Sequence, residues 1–416
     1  MKFNKWTLGL AAVGAVTLVS VAQAEEKTSS VLTAVSSTVL SGYVDTSAQW
    51  NMGTGDQFAP GYKYGGPTKA DGFNLDVVKV TLEKPLDESE WAAGYKVDLF
   101  FGPDANFFPA GLGTASISSG FNADFAIKQA YVALRVPVAN GIDVKVGVFD
   151  SIIGYESTEA VNNPNFTRSW AHTFEPSTHT GVLATYRVNS ALAFSAGVAD
   201  TLTASINDRP FNPTFGGNTK AESYKTYMGS VALTAPDSLG FLAGSTLYGG
   251  IVSGFGDNTP VLNGGQNADQ TSFYVGATVA TPVTGLRLGA SYDYAGVNHQ
   301  VITANQSAYF NSVAAYASFQ ATEKLSLHGR AEYVSMSKST AAGFSGANGA
   351  GGIASKMVAL TGTAQYDLWK NVISRLEFRW DHSADGTKAF GGSSSGFGGP
   401  TLKNSYILAA NIIYKF

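Results

Sequence analysis

YILAANIIYKF, residues 406–416, decides the fold class. Read with the two-residue period of a strand, it puts Tyr406, Leu408, Ala410, Ile412, Tyr414 and Phe416 on one face and Ile407, Ala409, Asn411, Ile413 and Lys415 on the other. A terminal strand is usually a sheet edge, and an exposed edge with an aromatic outer row invites aggregation in water. A closed barrel in lipid has no edge, and an apolar outer row suits its solvent. The expected fold is all-β: a transmembrane antiparallel up-and-down β-barrel.

The other end agrees. Lys2 and Lys5 precede an uncharged apolar stretch from Leu8 to Val21, and Ala22-Gln23-Ala24 gives the small-x-small pattern of a secretory cleavage site. Residues 1–24 therefore read as a signal peptide removed on export, residues 25–37 as an N-terminal segment and residues 38–416 as the barrel. The competing reading, a retained anchor helix, calls for about 20 apolar residues, more than this run supplies.

Composition fits the same class. Only 14% of residues are charged, where soluble chains carry about 25%. The absence of cysteine removes disulfides and thiolate metal sites together and suits passage through an oxidising periplasm. With Lys2 and Lys5 set aside, 25 basic residues face 31 acidic ones, which leaves no nucleic-acid footprint.

Alternation marks about sixteen strand segments, among them 142–149, 240–253, 371–382 and 403–416. Tight turns such as Pro85 to Glu88, Ala139 to Gly141 and Asp367 to Lys370 alternate with long connections at 51–71, 102–124, 150–178, 201–223, 254–269, 297–308, 337–354 and 383–402. A soluble sandwich has no reason for that asymmetry, whereas an outer-membrane barrel puts short turns on the periplasmic side and long loops outside. Sixteen strands leave a water-filled lumen.

The clearest strands sort their faces. Ile142, Val144, Val146 and Val148 alternate with Asp143, Lys145 and Gly147; Val372, Leu376, Phe378 and Trp380 alternate with Arg375, Glu377, Arg379 and Asp381. The apolar rows are expected to face lipid, and the lumen wall is expected to carry Lys145, Arg287, His328, Arg330, Glu332, Arg375, Glu377 and Arg379. Trp50, Trp91, Trp369 and Trp380 sit at strand ends, where interfacial aromatics belong.

The longest connection, within GVFDSIIGYESTEAVNNPNFTRSWAHTFEPSTHTGV (147–182), holds the densest polar chemistry. Its Gly154-Tyr155-Glu156 and Asn162-Asn163-Pro164-Asn165-Phe166 segments, with Glu175-Pro176 and His179-Thr180-Gly181, resemble the signature of the OmpL-like β-barrel porin family of Gram-negative bacteria. The resemblance implies an outer-membrane location more than any particular solute. The chain's ending likewise resembles the terminal strand of outer-membrane proteins, in which Tyr414 and Phe416 would be read by the barrel assembly machinery. Outer-membrane lipids, small hydrophilic solutes and a homotrimeric assembly are the partners this resemblance brings.

In sixteen-stranded porins the loop between the fifth and sixth strands folds into the barrel and narrows it, and 150–178 looks similar in position and length. Pro164 and Pro176 restrict the chain, and Phe166, Trp170 and Phe174, spaced by four, form an apolar face able to pack on the inner wall. Glu156, Glu159, Arg168, His172 and Glu175 are then expected to be left for the passage, facing the mixed-sign wall across a transverse field. The plainer alternatives are a surface loop and a hydrated wall of local ion pairs.

No catalytic residue, metal or cofactor is assigned. Ser177, His179 and Asp150 would have to assemble as a hydrolytic relay, and His172, His179 and Glu175 as a metal site, on an irregular loop that specifies neither geometry. Gly349-Ala350-Gly351-Gly352 runs into a strand, against a dinucleotide-binding turn. The expected function is a channel for passive diffusion of small hydrophilic solutes and ions. The alternatives are a solute-specific channel with saturable binding and a non-conducting barrel used for adhesion.

Overall fold

The computed structural model describes residues 38–53, 58–108, 125–202, 204–210, 222–256, 269–297, 308–343, 353–392 and 399–416. Residues 1–24, expected to be a signal peptide, residues 25–37 and Gly349 to Gly352 lie outside the described residues. Sixteen strands follow in chain order: β1 (Val39–Met52), β2 (Gly72–Lys84), β3 (Ala93–Phe101), β4 (Phe125–Val136), β5 (Ile142–Asp150), β6 (Thr178–Asn189), β7 (Leu192–Ala199) and β8 (Thr226–Thr234), then β9 (Thr246–Phe255), β10 (Asp269–Ala280), β11 (Leu286–Val297), β12 (Ala308–Gln320), β13 (Leu325–Met336), β14 (Lys356–Trp369), β15 (Val372–Ser383) and β16 (Asn404–Lys415). Each pairs antiparallel with its sequence neighbours, and β1 pairs with β16, so the sheet closes into a barrel.

Closure is completed by the final residue. Phe416 N donates to Gly42 O and Gly42 N to Phe416 O, each at 3.0 Å. A Cβ on Gly42 would strike the Lys79 carbonyl and the Phe416 ring, so the first strand needs glycine where the last one seals against it.

Alternation explains the wall. Tyr406, Ile412 and Tyr414 are exposed on the outside, whereas Ile407, Ala409, Asn411 and Ile413 are buried inside. Trp50, Trp91 and Trp369 are exposed near strand ends, and Trp380 Nε1 donates to Asn404 Oδ1 at 3.0 Å. Two sequence expectations need correction. The strand read as 240–253 begins only at Thr246, because Asp237–Leu242 forms 3-10 turns with Gly240 at φ 61°, and its apolar Leu239 and Phe241 are exposed on that turn. Val148, read as lipid-facing, is buried: beside it Gly147 adopts φ 133°, and from there Val148 and Phe149 are both buried, so the alternation is lost.

Inside the barrel, three apolar clusters combine wall residues with side chains from the connection between β5 and β6. That connection is the feature around which the interior is built.

Candidate functional site

After β5 the chain turns inward. Ile152, Ile153 and Tyr155 pack among Leu183, Met228, Tyr248, Val252 and Tyr274 of the wall. Tyr155 stacks on Tyr316 with ring centroids 4.0 Å apart, and its hydroxyl lies 3.2 Å from Thr278 Oγ1. Further on, a short helix, α1 (Trp170–Phe174), is capped by Ser169, whose hydroxyl accepts from His172 N at 3.1 Å. Trp170 is fully buried with Phe310, Val334 and Met357, and Phe174 stacks on Phe310 at 4.1 Å. The spacing of Phe166, Trp170 and Phe174 thus becomes one packing face.

Between these apolar anchors the loop is polar, and the opposite wall meets it group by group. Glu377 accepts from Phe166 N at 2.6 Å, Thr167 N at 2.9 Å and Thr167 Oγ1 at 2.5 Å. Glu332 accepts from Trp170 N at 2.9 Å and Ala171 N at 2.8 Å. Arg330 binds Glu156 at 2.7 Å and the Thr167 carbonyl at 2.8 Å. Arg375 donates to the carbonyls of Ala160 and Asn163, and Arg379 to that of Arg168. Arg379 also forms a two-pronged pair with Asp381, which in turn accepts from Trp170 Nε1 at 2.8 Å.

The signature residues brace the loop itself. Asn163 Nδ2 donates to the carbonyls of Ser157 and Glu159, its Oδ1 accepts from Ser157 N at 2.8 Å, and Asn165 Nδ2 donates to Thr363 Oγ1 at 2.7 Å. On the near wall Glu159 is held between Lys79 at 2.7 Å and Lys128 at 2.8 Å, while Lys128 also binds Asp150 at 2.7 Å.

This corrects the expectation that the loop's charges are left for the passage. Glu156, Glu159, Arg168 and His172 are all buried, and Glu175 has a side chain only 7% exposed. A charge taken out of water needs a partner: Glu156, Glu159 and Arg168 have been drawn against the wall or the loop backbone, and His172 Nδ1 lies 3.3 Å from Glu175 Oε2. Arg168 donates to the carbonyls of Ser157, Thr158 and Phe166 and lies over the Tyr64 ring. Burial would raise the Glu159 carboxyl, but Lys128 and Lys79 outweigh it and hold the group well below the usual carboxylate range. Burial keeps the His172 imidazole neutral, with Lys63 and Arg168 adding to the same effect.

The sequence reading missed several contributors. Lys79 and Lys128 stand on the inward rows of β2 and β4, where a lysine in an otherwise apolar run is the available signal. The connection after β1 also folds inward: Tyr62 meets Trp170 edge-on, the Arg379 guanidinium lies 3.9 Å from the Tyr62 ring centroid, and Lys63 binds Ser177 Oγ. Three expected wall residues meet groups of the wall and its turns. Lys145 Nζ sits 4.8 Å from the Tyr131 ring centroid, Arg287 donates to Gly244 O, and His328 Nδ1 lies 3.0 Å from Ser318 Oγ. Ser177, His179 and Asp150 are not assembled as a relay: His179 faces Ser151 and Thr201, Ser177 faces Lys63, and Asp150 faces Lys128.

Residues 37–416 match the family described as "Putative beta-barrel porin-2, OmpL-like". The chain belongs to this family. As a porin-family barrel it also resembles solved structures across 91% of its length: an anion-selective porin from Comamonas acidovorans (12% identity, 99% of that chain, TM-score 0.58), the outer-membrane channel DcaP of Acinetobacter baumannii (12%, 97%, 0.57) and OprB of Pseudomonas putida (11%, 94%, 0.54). At such identities these likenesses speak for the fold of an outer-membrane β-barrel porin. None of the curated proteins compared with the chain matches it.

Proposed function

We propose that this porin-family barrel is a water-filled channel through which small hydrophilic solutes and ions diffuse passively, with residues 150–178 as its constriction. The observation that carries the reading is a loop bonded to opposite walls of a sixteen-strand barrel, through Lys79 and Lys128 on one side and Arg330, Glu332 and Glu377 on the other. Such a bridge narrows the lumen where it crosses. In this reading the leader 1–24 is removed on export, the barrel assembly machinery inserts the chain among outer-membrane lipids, the long connections face outward and three copies associate.

Planar-bilayer recording tests the constriction. Deleting Ser157 to Thr173 should raise single-channel conductance, because a constriction supplies much of a pore's resistance. Conductance unchanged by the deletion would sink the model. Silence from both forms would point instead to a barrel used for adhesion.

A further inference from the structure

Of the lysines buried among the described residues, three are held between carboxylates. Lys69 binds Asp76 and Asp104, Lys79 binds Asp98 and Glu159, and Lys128 binds Asp150 and Glu159. Lys63, only 6% exposed, forms no ion pair among the described residues, and its Nζ meets the Ser177 hydroxyl instead. The rings of Phe108 and Tyr64 have their centroids 5.6 and 5.8 Å from that nitrogen. An ammonium has three donors to satisfy and is strongly disfavoured when buried without a carboxylate. The setting therefore favours the neutral amine, whose lone pair can accept the serine proton.

Both groups are positioned by their backbones. Lys63 N donates to Thr173 Oγ1 at 2.9 Å, and Gly65 N closes the turn on Tyr62 O at 2.9 Å. Within that turn Tyr64 holds φ 67°, a left-handed backbone that a bulky residue adopts only under constraint. Pro176 fixes the approach to Ser177, whose carbonyl accepts from Ser151 N at 2.9 Å beside the start of β6. The Ser177 N–H donates to no partner among the described residues, which leaves a donor next to Oγ for a developing oxyanion. Burial pushes the Lys63 amine down to about 8; Arg168 on the loop and Lys128 on β4 add to this, while Glu175 on the loop and Asp150 on β5 oppose it. The nearby His172 imidazole is neutral.

We propose that Lys63 and Ser177 form a nucleophilic dyad that hydrolyses small carboxylic esters. Neutral Lys63 Nζ takes the Ser177 Oγ proton as Oγ bonds to the ester carbonyl carbon; the bond from that carbon to the alkoxy oxygen then breaks, and the leaving alcohol takes the proton from Nζ. Water is the second reactant. It gives one proton to Nζ as its oxygen bonds to the acyl carbon, the bond from Oγ to that carbon breaks, Oγ recovers the proton and a carboxylic acid leaves. The rings of Phe108 and Tyr64 suit a short apolar acyl chain, and Ser177 is half-buried, more open than the lysine behind it. The inference adds a chemical activity to the barrel and does not depend on conduction.

The test uses the full-length folded barrel, checked by its heat-modifiability, with p-nitrophenyl acetate as substrate and a fluorophosphonate as probe. The wild type should hydrolyse the ester at a rate that rises through about pH 8 as Lys63 loses its proton, and peptide masses should place the probe on Ser177. Ser177→Ala should abolish labelling. Lys63→Arg keeps a donor but sheds no proton, so turnover should fall by about 10²–10⁴-fold, the usual contribution of a general base. A folded wild type that neither labels nor turns over, an adduct on another residue, or a Lys63→Arg barrel with the wild-type rate would overturn the dyad. Should the variants fail to fold, the wild type decides alone: an adduct away from Ser177, or a labelling rate flat with pH, refutes the proposal. A labelled barrel that passes no current would leave the dyad standing and remove the porin reading.

Discussion

Replacing Glu377 with alanine separates the loop from the wall that carries it. Its carboxylate accepts four hydrogen bonds, from Phe166 N, Thr167 N, Thr167 Oγ1 and Thr363 Oγ1, at 2.5 to 2.9 Å. A hydrogen bond to a charged group contributes ~1.5–3 kcal/mol, but four such values do not add, because a carboxylate that is 1% exposed also carries its own desolvation cost. Removing one partner from a buried charged network costs about 3–5 kcal/mol, and we expect the loop to lose that much of its seating energy. At ~1.4 kcal/mol per factor of ten, the ratio of released to seated loop rises by two to three and a half powers of ten, roughly 10² to a few times 10³. The β15 backbone ladder with β14 and β16 does not pass through this side chain, so the barrel itself should form normally. The expected phenotype is a heat-modifiable barrel of wild-type yield, with bursts of raised conductance and new proteolytic cleavage between Ser157 and Thr173. Glu323→Ala, on an exposed turn, is the control. Wild-type conductance together with wild-type protease resistance would refute the reasoning, and so would loss of the barrel.

Two further outcomes follow from the wall. Tyr414→Ser with Phe416→Ser should lower the amount of heat-modifiable barrel in outer-membrane fractions, since these side chains belong to the exposed outer row; normal yield would count against that role. Cysteine placed at Lys388, exposed in the long connection after β15, should react in intact cells with an impermeant thiol reagent, while one at Asp237, on a short turn, should not. The chain has no cysteine of its own to confuse the signal, and the opposite pattern would invert the orientation.

The strands were legible because an alternating face costs the sequence a residue choice at every second position, and sixteen segments carried that imprint. It failed where apolar residues served a turn, as at Leu239 and Phe241, and where Gly147 broke the alternation. The inward course of the loop was foreshadowed by Pro164, Pro176 and the aromatic spacing from Phe166 to Phe174. The fate of its charges was not. Glu156 finds Arg330 and Thr167 finds Glu377 at separations of 174 and 210 residues, and no local pattern encodes so distant a partner. Lys79 and Lys128 were overlooked because a lysine on a lumenal row looks the same in sequence whether it faces water or clamps a loop.

Those same separations set an order of events during folding. Lys79 and Lys128 precede the loop in the chain, whereas Arg330, Glu332, Glu377 and Asp381 follow it by well over a hundred residues. Hairpins of neighbouring strands form from local pairings, but the crosspiece has to wait until the thirteenth to fifteenth strands exist, and contacts of such long sequence separation form slowly. The lumen therefore stays unbridged until late, and the seal of Phe416 on Gly42 falls in the same closing stage. A nascent barrel stalled before β13 would hold a loop with acidic side chains on one half and their basic and acidic receptors still unmade. That predicts that truncation after β12 leaves residues 150–178 as the first segment a periplasmic protease can reach.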